Sequence, residues 1–113
     1  MFKVFPKYLQ LTNSIRRINK RYKLTEYKQV MVLEAVLSSH AENVMLSVLD
    51  LILMKEIASQ VTIHAVTKVL IELKLIKTEV SKTDARRKYV FPTKLALAWL
   101  DDCTDVLVSI TKK

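Results

Sequence analysis

Apolar residues recur at helical spacing in five stretches of the chain and at alternate positions in one. Tyr8, Leu11, Ile15, Ile18 and Tyr22 follow a three-four-three-four spacing that builds one stripe on a first helix, with Arg16, Arg17, Lys20 and Arg21 beside it. Thr25 has the chemistry of an N-cap and Glu26 suits the first turn, so Tyr27, Val30, Met31, Leu33 and Leu37 predict a second helix running toward Ser38, with a loop over 38–43. Ser47 caps a third helix, with Asp50 at its third position and Leu49, Ile52, Leu53 and Ile57 expected on its buried side. After a break over 58–60, a fourth helix begins near Val61 or Thr62. Ile63, Val66, Leu70 and Leu73 line one of its faces, and His64, Ala65, Lys68 and Glu72 line the other.

Beyond Leu75 the period shortens. Ile76, Thr78 and Val80 alternate on one strand and Tyr89 and Phe91 on the next, with the polar run 81–88 between them, which predicts a β-hairpin with a basic tip. Pro92 stops the second strand and Thr93 caps a last helix marked by Leu95, Leu97, Ala98, Trp99, Val106, Leu107 and Ile110. The chain contains no glycine, so Asn19, Asn43 or Lys74 is expected to take the left-handed backbone positions that helix ends normally give to glycine.

A length of 113 residues, 50% hydrophobic and 27% charged, is that of one ordered domain with a single core. The net charge of +8 favours a polyanionic partner. Its distribution is uneven: residues 1–24 carry seven positive and no negative charges, residues 25–60 two positive and five negative, and residues 77–94 six positive and two negative. One cysteine, Cys103, cannot form an intramolecular disulfide, and Lys3, Pro6, Lys7, Gln10 and Asn13 interrupt the apolar run a signal peptide needs. No apolar run approaches the roughly 20 residues of a membrane span. A cytoplasmic protein without a membrane segment is therefore expected.

Catalysis finds no support: a phosphate-cradling loop needs glycine, and no nucleophile lies in an activating context. His40, His64 and Cys103 show no paired spacing for a metal, so neither metal nor cofactor is expected. Asp101, Asp102 and Asp105 disfavour a thiolate at Cys103 and argue against redox sensing.

The order of four helices, basic hairpin and final helix predicts a mainly α winged helix-turn-helix fold, in which the second helix of the pair enters a major groove of duplex DNA. Gln60, Thr62, His64, Ala65 and Lys68 are its expected solvent face. Gln60, Thr62 and His64 can exchange hydrogen bonds with base edges, and Ala65 allows close approach or meets a thymine methyl. Lys82, Arg86, Arg87 and Lys88 of the hairpin are expected on phosphates or in the minor groove, with Asp84 holding an arginine in place.

The stretch Ser59 to Thr93, with Thr62 to Ile76, then Asp84, Arg86 and Arg87 in a D-x-R-R-type pattern, then Phe91 to Thr93, resembles the recognition helix and wing of the MarR family, including its staphylococcal SarA-like branch. It departs from the usual pattern at Lys74, where many members have glycine, and at Pro92, where leucine is usual. The resemblance implies a homodimeric transcription regulator, built on the first and last helices, whose two wings flank a pseudo-palindromic site. It divides the single domain 1–113 into an N-terminal dimerisation helix (1–24), a DNA-binding lobe (25–92, wing 76–92) and a C-terminal dimerisation helix (93–113). Tyr8, Leu11, Ile15, Ile18, Tyr22, Trp99, Val106 and Ile110 are then the expected interface, and a small-molecule effector is open without an assigned residue. The competing reading is a winged-helix protein-interaction module using the acidic stretch from Glu34 to Glu56. Single-strand binding would want stacking aromatics, for which only Tyr89 lies near the basic hairpin.

Overall fold

The computed structural model describes residues 6–112; the first residues of the N-terminal segment, Lys3 among them, and Lys113 lie outside the described residues. The elements in order are α1 (Lys7–Arg21), α2 (Tyr27–Ala41), β1 (Leu46–Ser47), α3 (Val48–Ile52), α4 (Gln60–Glu72), β2 (Ile76–Val80), β3 (Lys88–Pro92) and α5 (Lys94–Thr111). The strands form an antiparallel sheet in the order β1-β3-β2, with Leu46 opposite Val90 and Ile76 opposite Pro92.

Local chemistry sets most helix starts. Ser47, Ser59 and Thr93 each accept a hydrogen bond through the side-chain oxygen from the backbone N–H three residues on, at 2.9, 3.2 and 3.3 Å, satisfying a donor the helix leaves open. At α2 the cap falls one residue later than expected, on Glu26, because the Gln29 side-chain oxygen reaches back to the N–H groups of Thr25 and Glu26 at 2.8 and 3.2 Å. Three helix ends use left-handed residues: Lys23 (φ 65°), Asn43 (φ 60°) and Lys74 (φ 62°). Asn19 does not share that role, since it lies inside α1 and its side chain binds Trp99 instead.

One core cluster joins the elements, with Leu33, Leu51, Ile63, Leu70, Leu75 and Ile76 almost fully buried. α2 packs against α4 and β3, and α3 against α4, while α1 lies along α5. In the third helix the expected burial is out of phase: Leu49 and Leu53 are 63% and 45% exposed, and Leu51 takes the core position. A helix of five residues makes little more than one turn, so it presents one side chain inward rather than a stripe. The strands are also out of phase with expectation. Val90 and Pro92 face the core, leaving Tyr89 and Phe91 half-buried on the opposite side, and only Ile76 of β2 is buried.

The molecule is elongated, 62 Å in its longest dimension with a radius of gyration of 16.1 Å, against about 13 Å for a compact domain of this length. Among the described residues no helix is long and apolar enough to cross a membrane.

Candidate nucleic-acid interface

α4 is positioned by burial. Ile63, Val66, Thr67 and Leu70 face the core, and the Thr67 hydroxyl satisfies itself by donating to the Ile63 carbonyl at 2.7 Å. The face left to solvent carries Gln60, Val61, His64, Ala65 and Lys68. Thr62 stands apart from this set. It is half-buried, and its hydroxyl oxygen accepts from Ser59 at 3.0 Å, so it serves the start of the helix. Val61, 80% exposed, is the residue sequence reasoning passed over, because an apolar side chain at a helix start was counted only as a marker of the helix.

The wing tip is a hydrogen-bonded loop built without glycine. Ser81 N–H donates to the Arg87 carbonyl at 2.8 Å and Arg87 N–H to the Asp84 carbonyl at 3.0 Å, while Ser81 Oγ accepts from the N–H groups of Thr83 and Asp84, each at 3.2 Å. Asp84 Oδ1 accepts from the Arg86 backbone N–H at 3.0 Å and lies 3.4 Å from its Nε. That holds the chain direction at the tip, while the Arg86 side chain remains 93% exposed. Lys82, Arg87 and Lys88 are exposed and take part in no ion pair among the described residues.

The wing tip faces the start of α3 across a cleft of about 540 Å³, lined on one side by Ser47, Leu49 and Asp50 and on the other by Asp84, Arg86, Arg87 and Lys88. Asp50 borders this cleft, whereas Glu34 lines another, of about 610 Å³, between α1, α2 and α5. The walls of that second cleft are mostly apolar, with Leu11, Ile15, Leu37, Trp99, Leu100 and Leu107, and burial there pushes the Glu34 carboxyl up. Cys103 lines the same cleft. Burial first, then the negative charges of Asp102 and Glu34, push its thiol up to about 11, so it is no ready thiolate.

Helices α1 and α5 are tied by Trp99 Nε1, which donates to Asn19 Oδ1 at 2.7 Å, and by the Tyr22 hydroxyl, which donates to Asp102 at 2.7 Å; the Tyr22 hydroxyl is pushed up chiefly by that bond. Arg21 lies 3.6 Å from the same carboxylate. Ile18 and Trp99, expected at a dimer interface, are instead buried within the single chain by this packing. Tyr8 is exposed, and Leu11, Ile15, Tyr22, Val106 and Ile110 are partly so. Leu107, expected only as a marker of the last helix, and Leu100 and Val108, not singled out in the sequence, extend the exposed apolar surface along α5. Among the described residues no group of three or more His, Cys, Asp or Glu side chains could hold a metal ion.

No protein-family model and no curated protein matches the sequence. Solved structures do match. The chain superposes on MepR of S. aureus in complex with DNA with a TM-score of 0.75 at 16% identity, covering 93% of this chain and 82% of that one. MepR bound to ethidium bromide gives 0.70 at 17% identity over 95% and 78%. The heme sensor PefR of Streptococcus agalactiae, in complex with heme, gives 0.63 at 20% identity over 91% and 69%. At these identities the likeness is one of fold, and the chain has the winged-helix fold that the resemblance to the MarR family implied.

Proposed function

We propose that this protein is a transcription regulator that binds duplex DNA as a homodimer, with α4 in a major groove and the wing on the adjacent minor groove or backbone. The carrying observation is the pairing of a solvent-exposed α4 face that carries Gln60, His64 and Lys68 with a wing tip whose Lys82, Arg87 and Lys88 have no carboxylate partner among the described residues. Cations left free in this way are available to phosphates, which supply most sequence-independent affinity. The DNA-bound MepR of the same fold supports the reading.

Dimerisation is supported by the elongation and by the exposed apolar side chains of α1 and α5, which a second chain would cover. Leu11, Ile15 and Leu107 belong to both this surface and the Glu34 cleft, so a partner laid along the two helices would roof the cleft and create a site for a small apolar effector. Trp99, the sole tryptophan, lines that cleft. Ethidium or heme should therefore give a saturable change in its emission, and no change with either would remove the effector proposal.

Titrating a mixed duplex pool followed by fluorescence anisotropy, with single-stranded DNA and RNA controls at two salt concentrations, tests the main reading. Preferential duplex binding that weakens as salt rises is expected. No duplex binding at low salt would overturn it.

A further inference from the structure

We infer that Val61 is a specificity-determining residue that reads the 5-methyl group of thymine in the major groove. The inference rests on the duplex-binding reading above and adds to it a base preference and the residue that imposes it.

Val61 is the most exposed of the large apolar side chains described, at 80%. It is not an isolated surface residue. In an α-helix, side chains three and four positions apart share a face, so Val61 stands above His64 and Ala65, with Lys68 one turn further on. The buried side chains of Ile63, Val66 and Leu70 fix that face outward. The neighbouring Thr62 projects less, being half-buried, with its hydroxyl oxygen accepting from Ser59 and its backbone N–H donating to it. At the end of the helix that enters the groove, the projecting group is thus a branched hydrocarbon, continued by the Ala65 methyl.

Such a surface can neither donate nor accept a hydrogen bond. Thymine alone among the four bases offers a methyl group at the major-groove edge; cytosine carries only hydrogen at the same carbon, and a valine laid there would also strip the neighbouring amino donor of water without a replacement acceptor. The Val61 and Ala65 pair therefore favours a thymine, and Gln60 and His64 on the same exposed face supply hydrogen-bonding groups suited to the paired adenine.

The test replaces thymine by uracil, one position at a time, in a duplex selected by the wild-type protein from a random pool. Uracil removes only the methyl group. The expected result is one position per half-site where uracil weakens wild-type binding by roughly three- to ten-fold, and where Val61→Ala binds thymine and uracil duplexes alike. Tight duplex binding with no uracil-sensitive position, or sensitivity unchanged in Val61→Ala, would overturn the inference and leave the regulator reading standing. Failure to select any duplex would overturn the regulator reading, and this inference with it.

Discussion

Ser59 serves the start of α4 twice, accepting from the Thr62 N–H and donating to the Thr62 hydroxyl. Its replacement by alanine removes both bonds from the start of the proposed recognition helix. Ser59→Ala is expected to lower stability by about 1 kcal/mol, measured by urea unfolding, and to weaken duplex binding beyond that loss by loosening the first turn. At Cys103 the folded protein holds its proton more tightly than the unfolded chain, since the thiol stands at about 11 against an ordinary 9.0. The folded state therefore binds more protons in that range, and the corresponding stability is present below pH 9 and is lost as pH rises toward 11. Tyr22 shifts in the same direction and adds to the loss at the alkaline end. Thermal unfolding scans of Cys103→Ala should show a shallower alkaline decline than the wild type, and thiol labelling at neutral pH should be slow.

The wing, as an element, divides its charges unequally. Arg86 shares Asp84 at 3.4 Å, whereas Arg87 has no such partner, so Arg87→Ala should cost more affinity than Arg86→Ala. Each phosphate contact removed should flatten the dependence of log K on log salt by about one. Wild-type affinity and slope in both variants would show that the tip does not touch DNA. The wing was legible in the sequence because a hairpin announces itself by a change of period and a polar tip, and the caps Ser47 and Thr93 because a hydroxyl before an apolar run has a local reason to be there. Burial within short elements was not legible. Leu49 and Leu51 are equally apolar, and only the packing of a five-residue α3 against α4 decides which of them enters the core. β1, two residues long, carries no period at all and exists because β3 offers it a free edge. The solvent face of α4 was legible at Gln60, His64, Ala65 and Lys68, but its apolar member Val61 was hidden by the same property that marks core residues.

The whole molecule has a compact lobe and two long helices that leave Tyr8, Leu107 and Val108 in water, 72%, 46% and 55% exposed. Covering such side chains contributes about 1.5–3 kcal/mol each when burial is complete. Sedimentation equilibrium should therefore give twice the chain mass of 13.1 kDa, and Leu107→Asp combined with Val108→Asp should return it to the single-chain value while preserving the helical content of the lobe. The proposed two-fold dimer in turn requires a two-fold site, with each α4 at its own half. The most direct measurement is hydroxyl-radical footprinting on a duplex selected from a random pool. Two symmetry-related protected patches, with half-site centres about 10 base pairs apart or a multiple of that, are the predicted result. A single patch without symmetry, or no protection at saturating protein, would contradict the dimeric DNA-binding account.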